Sequence, residues 1–210
     1  MSLHITIKIK GVIDMGAFAR FEAKAFSRKK GHSAVRASAY RTGQELYCEQ
    51  TNKVYNFEFK KDVLYFETDK NFRDSEHLWN SAEKAEKRKD ATIQREFLCS
   101  FDKKISVNEA KKLARNFCKK LQKKHLVAYE FAIHKGKDGD NPHLHIILST
   151  RRFENGKFTE KSRELDDRKS GLIDFWRKEW QKDSDTILKL QNRRKSKLNN
   201  TLYPRPRLSI

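Results

Sequence analysis

The chain has 210 residues, 37% hydrophobic and 36% charged, enough for one lean core under a densely charged surface. Lys and Arg number 47 against 28 Asp and Glu, a net charge of +19; a compact domain so charged repels itself unless a polyanion is near, and nucleic acid is the usual one. Three scattered cysteines without a Cys-x-x-Cys pair exclude a disulfide framework and a thiolate zinc finger, and with no signal peptide and no apolar stretch near ~20 residues the expected location is cytoplasmic, with no membrane partner.

Residues 3–10 alternate Leu3, Ile5, Ile7 and Ile9 with polar residues, which predicts a strand. A break over 11–16 leads to a second strand at 17–26 and a basic loop at 27–31. Small and apolar residues at helical spacing (Ala34, Ala37, Ser38, Arg41) predict a helix over 33–46. The β-prone run Val54, Phe57, Phe59, Val63, Leu64, Tyr65, Phe66 predicts one or two strands, and Leu78, Trp79, Ala82 and Ala85 a helix over 74–90. A strand at 93–101 follows. Ser106 and Glu109 then form a capping box that opens a helix reaching about residue 124.

Val127, Tyr129, Phe131 and Ile133 alternate along a strand at 126–134. A Gly- and Asp-rich turn over 135–142 joins it to a strand at 143–150, forming an antiparallel hairpin. A last helix runs from 171 to about 197, and a basic tail (Arg193, Arg194, Lys195, Lys197, Arg205, Arg207) reads either as a solvated end or as a phosphate contact. Strands and helices interleave without strict alternation, so the expected class is α+β with a mostly antiparallel sheet.

His143 and His145 are two apart on a strand and share a face, and the hairpin brings His134 beside them. Three convergent imidazoles make a transition-metal site with open positions; the alternative is three incidental histidines. His4, His32, His77 and His125 are scattered and have no assigned role. A metal site in a strongly basic chain suggests phosphate chemistry, with metal-bound water or a side chain as nucleophile. Tyr40 lies among small residues in Ser38-Ala39-Tyr40-Arg41-Thr42-Gly43, and reads either as ordinary core or as an accessible hydroxyl.

The block Phe26-Ser-Arg-Lys-Lys-Gly-His-Ser-Ala-Val-Arg-Ala-Ser-Ala-Tyr-Arg-Thr-Gly43 resembles the nucleophile motif of MobA/MobL-type mobilisation relaxases, MobQ-like members of the HUH endonuclease superfamily. Leu78-Trp79-Asn80, then Glu83, Glu86 and Arg88, then Arg95-Glu96, resemble a second block, and His134 with Asn141-Pro142-His143-Leu144-His145 the metal motif. The resemblance covers about 17–182 and fades from Asp183, dividing the chain into an extension at 1–16, a relaxase domain at 17–182 and a basic tail at 183–210.

The resemblance implies an antiparallel sheet carrying the histidine motif, with flanking helices. It implies that Tyr40 nicks single-stranded DNA at a plasmid origin of transfer, through a 5′-phosphotyrosine, and that the strand is later rejoined. His134, His143 and His145 would hold a divalent ion, Mn²⁺ or Mg²⁺. Glu96 would act near the tyrosine as base or proton acceptor. Arg28, Lys29, Lys30, Arg36, Arg41, Arg95 and Arg151 are the expected DNA contacts, and accessory and coupling proteins of conjugation the expected partners. Rolling-circle initiators and transposases of the superfamily generally place the histidines before the tyrosine, whereas here Tyr40 precedes His134. Hydrolysis by water and non-catalytic nucleic-acid binding are the other readings.

Overall fold

The computed structural model describes residues 20–136, 141–167 and 169–202. The strand expected at 3–10 and the first residues of that at 17–26 lie outside these. In chain order the elements are β1 (Phe21–Ser27), α1 (Ala34–Thr42), β2 (Glu45–Cys48), β3 (Lys53–Asn56), β4 (Val63–Thr68), α2 (Ser75–Ala85), β5 (Thr92–Ser100), α3 (Val107–His125), β6 (Val127–His134), β7 (His143–Glu154), β8 (Lys157–Lys161) and α4 (Leu172–Leu202). The basic segment expected as a loop is a short 3-10 turn, Arg28–Lys30. The boundary expected after residue 182 falls inside α4.

The main sheet runs β1-β5-β7-β6-β4, with β8 paired to the C-terminal part of β7, and every pairing is antiparallel. This is the expected α+β architecture. On one face Phe97, Phe131, Ile133, Leu144, Ile146 and Leu148 pack with Leu113, Phe117 and Leu121 of α3 and with Trp176 and Trp180 of α4. The capping box of α3 forms as expected, Ser106 accepting from Glu109 N–H. α4 is tied down by its indoles: Trp180 donates to Ser100 O at 2.8 Å, and Trp176 to His125 Nε2 at 3.1 Å. His125, given no role from the sequence, is thus a buried structural link.

α1 and α2 cover the other face, with Ala34, Val35, Ala39, Leu78, Trp79, Ala82 and Ile147 in their core. Ser33 caps α1, accepting from Arg36 N–H, and Gly43 ends it in the left-handed conformation (φ 66°). A Cβ at Gly43 would lie 3.3 Å from Val63 Cγ2, so both backbone and space favour glycine there.

Buried carboxylates set the placement of α1. Glu83 of α2, 2% exposed, accepts from Ser33 Oγ (2.9 Å), Ala34 N–H (2.6 Å) and Val35 N–H (3.4 Å) at the α1 N-terminus. A carboxylate there satisfies orphan amides and complements the helix dipole. Glu130 of β6, fully buried, accepts from Ser38 Oγ of α1 (2.6 Å), Trp79 Nε1 of α2 (3.1 Å) and Thr68 Oγ1 (3.2 Å). Burial raises its pKa above the usual carboxylate range, and these donors offset part of that shift.

Glu83→Ala should therefore lower the unfolding free energy by about 3 kcal/mol in urea denaturation, since several buried donors lose their acceptor. Glu22→Ala, which removes only an ion pair with the exposed Arg20 and Lys24, should leave the urea midpoint where it is. Equal midpoints for both variants would contradict this account of α1.

Candidate metal and nucleophile site

The β6–β7 pairing places His134 opposite His143, and His145 opposite Ala132. The even-numbered positions of β6 and the odd-numbered positions of β7 here share the face covered by α1. The three rings converge, with centroids 4.6 to 5.3 Å apart. One nitrogen from each ring lies within 4.8 Å of the others, so the cluster could hold a metal ion.

The ring partners favour that use. A carbonyl oxygen only accepts, so the His143 proton is on Nδ1, 2.8 Å from Asn141 O, and Nε2 keeps its lone pair. His145 Nδ1 donates to Glu96 Oε1 at 2.6 Å, again freeing Nε2. His134 donates from Nε2 to Arg41 O at 2.6 Å, leaving Nδ1, which lies 3.3 Å from Asp62 Oδ2. Burial lowers the pKa of His145 and holds that of His134 down at about 4, so both are neutral at neutral pH, the form that ligates metal. A neutral His134 turns a bare lone pair toward the Asp62 carboxylate, a corner that a bound cation would relieve. The donor set therefore fits a divalent ion with imidazole ligands.

Glu96, on β5, is 2% exposed. Its carboxylate holds His145 and forms a two-pronged pair with Arg41, Nη2 to Oε2 at 2.9 Å and Nε to Oε1. Burial alone would raise its pKa; the bonds from His145 and Arg41 outweigh that and hold it at about 2. The resemblance implies that Glu96 acts near the tyrosine as base or proton acceptor. Its hydrogen bonds go to Arg41 and His145, an arrangement that also suits a carboxylate orienting a histidine that could hold a metal.

Tyr40 is on α1, 49% exposed, so it is an accessible hydroxyl and not core. It is the residue before Arg41, whose carbonyl accepts from His134 and whose guanidinium donates to Glu96. The β3–β4 connection completes its surroundings. Phe57 meets the Tyr40 ring edge-on at 5.2 Å, and Lys60 Nζ lies 3.8 Å from the ring centre. Lys60 also pairs with Asp62 at 3.6 Å, so one loop touches both the tyrosine and the histidine cluster. The sequence places Phe57 only in a β-prone run and gives Lys60 and Asp62 no role. Their one sequence signal is position, just before a strand that pairs with the one ending at His134.

The seven expected DNA contacts divide in two. Lys29, Lys30 and Arg36 are exposed. Arg95 is 2% exposed and bonds Asp166 and the carbonyls of Ser149 and Ser162, so it has no place at a DNA surface. Arg28 turns inward to carbonyls of Glu83 and Glu86 at the α2 C-terminus, and Arg151 binds Glu86 and Thr159 O. With Arg41 held by Glu96, these four are fastened inside the protein. A lone basic residue in sequence gives no sign of a buried acceptor.

The MobA/MobL family model matches residues 32–205, past the point where the resemblance had faded. The chain is 33% identical to the mobilization protein MobL of Acidithiobacillus ferridurans over 56% of this chain and 32% of that protein. It is 26% identical to the conjugal transfer protein TraA of Rhizobium radiobacter over 69% of this chain and 14% of that one. It thus spans less than a third of the length of these relatives. A solved structure described as the molecular basis of vancomycin resistance transfer in Staphylococcus aureus is similar in fold, with a TM-score of 0.74 and 24% identity over 83% of this chain and 94% of that one. The family match takes in the helix bearing Tyr40, Glu96 and all three clustered histidines, and the chain belongs to the MobA/MobL family.

Proposed function

We propose that this chain nicks and rejoins single-stranded DNA at a plasmid origin of transfer, in the cytoplasm, as part of conjugative mobilisation. One observation carries the reading: an exposed tyrosine is joined through the next residue's carbonyl to His134, one of three convergent histidines. The family membership, the relatives' names and the charge of +19 support it. Among the described residues no helix is long and apolar enough to cross a membrane.

Tyr40 Oη attacks the scissile phosphorus and the bond to the 3′-oxygen breaks. The products are a 5′-phosphotyrosine and a free 3′-hydroxyl, the phenolic proton passing to solvent and a proton returning to the leaving oxygen. The phosphotyrosine retains the phosphodiester energy, so the reverse attack rejoins strands without ATP. A divalent ion, Mn²⁺ or Mg²⁺, held by His134, His143 and His145 would neutralise charge on a phosphoryl oxygen. Glu96 is a positioning residue: it fixes the tautomer and orientation of His145. The Lys60 ammonium, against the Tyr40 ring face, stabilises charge that develops on the phenol as it attacks. Lys29, Lys30 and Arg36 offer exposed charge to the strand. Accessory and coupling proteins of conjugation are the expected partners.

With labelled single strands carrying origin-of-transfer sequences and Mn²⁺, a covalent protein–DNA band is expected on a denaturing gel, absent in Tyr40→Phe; cleavage without the band would mean that water attacks. Mn²⁺ at about 100 times its Kd should add about 2.7 kcal/mol of stability, readable as a rise in Tm that EDTA reverses and His143→Ala removes. Glu96→Gln should weaken Mn²⁺ binding about 10–100-fold. Unchanged metal affinity with lost cleavage would instead make Glu96 the proton acceptor of Tyr40.

A further inference from the structure

Between α1, the end of β1 and Phe57 lies a cavity of about 290 Å³, lined by Phe26, His32, Arg36, Tyr40, Arg41 and Phe57 among others. It shares Tyr40 and Arg41 with the site above, yet neither the histidine cluster nor the proposed attack uses it. We propose that it takes one unstacked nucleobase of the single strand, beside the phosphate Tyr40 attacks, and favours guanine. The identity of the occupant rests on the proposed function.

Size comes first. Small-molecule sites span roughly 300–1,000 Å³, so a cavity at the bottom of that range suits one ring system and not a dinucleotide. Its walls come next. Phe57 and Tyr40 stand edge to face, and the Phe26 ring has the Arg41 guanidinium 4.9 Å above it and the His32 ring 5.2 Å away. Aromatic faces edged by cations stack any base while its phosphate meets positive charge. Phe59, 70% exposed and 6.0 Å from Phe57, extends the platform outward for a neighbouring base.

The polar groups set the preference. His32 Nδ1 accepts from Ser27 N–H at 3.1 Å, so the proton of the neutral ring is on Nε2. Arg36 is exposed, with its guanidinium 6.0 Å from the Tyr55 ring and hydrogen-bonded to no described residue. Both groups donate. The base edge that answers two donors is that of guanine, whose O6 and N7 both accept; adenine presents a donor in place of O6.

The test reads binding in EDTA, without cleavage. The wild-type chain is irradiated with a ten-nucleotide thymidine strand carrying one 5-iodouracil, and the crosslinked residue is mapped by mass spectrometry. Attachment at Phe26, His32, Tyr40 or Phe57 is expected; attachment confined to other surfaces would overturn the proposal. Phe57→Ala should weaken binding of the strand about tenfold while Phe57→Tyr, which keeps the stacking face, stays near wild type. Equal loss in both, or in neither, would remove Phe57 as a stacking wall. In competition, dGMP should displace the strand at about tenfold lower concentration than dAMP, and Arg36→Ala should erase the difference. Equal competition in the wild type would overturn the guanine preference. A chain that crosslinks here and nicks nothing loses the proposed function and keeps the cavity; one that nicks and crosslinks elsewhere does the reverse.

Discussion

The carboxylate of Glu83 against the first amides of α1 is the constraint on which the functional face depends. α1 is short, and its buried side is mostly Ala and Ser, so apolar burial alone holds it weakly. Directional bonds supply what burial does not. Glu83 fixes its start, Glu130 pins Ser38 at its middle, and His134 and Glu96 engage Arg41 near its end. A helix held at three points along its length cannot rotate, so the exposed Tyr40 keeps one orientation, against Phe57 and Lys60. α2, whose Glu83 binds the start of α1 and whose Trp79 holds Glu130 against Ser38, is best understood as scaffolding for α1.

The same bonds connect structure to chemistry. In a chain with an excess of 19 positive charges, several acids are inside: Asp69, Glu83, Glu86, Glu96 and Glu130 are all buried. Each accepts hydrogen bonds from other parts of the chain, and Arg28, Arg41, Arg95 and Arg151 are drawn inward as partners or as caps on carbonyls. The exterior keeps the lysines and a smaller set of arginines. Net charge therefore overstates how many basic groups near the site are free for a phosphate. Burial favours the neutral forms of His134 and His145, so their lone pairs remain for a metal.

Much of this was legible in the sequence. The β6–β7 hairpin followed from alternation and a Gly-rich turn, and with it the convergence of His134, His143 and His145. The α3 capping box was readable because both of its partners are local. What stayed hidden was non-local or short. β2 is four residues, too brief for a period, and lies partly where the helix was expected to continue, and β8 follows a tight turn at Asn155 and Gly156 with positive φ. Glu96 could be named but not assigned, because its role depends on which side chains the register places across from it. Lys60 and Asp62 belong to a connection whose path only the fold determines. The last helix was readable past residue 182, although the boundary drawn there from the fading resemblance falls inside α4.

The central claim is that one metal ion on three histidines faces the hydroxyl of Tyr40. It is tested most directly by crystals grown with Mn²⁺ and measured at an energy where manganese scatters anomalously. The account predicts a single strong peak bonded to His134, His143 and His145, with the Tyr40 hydroxyl turned toward the open side of the ion and Glu96 on His145 Nδ1. A peak on other residues, or a Tyr40 side chain directed away from the ion, would contradict it.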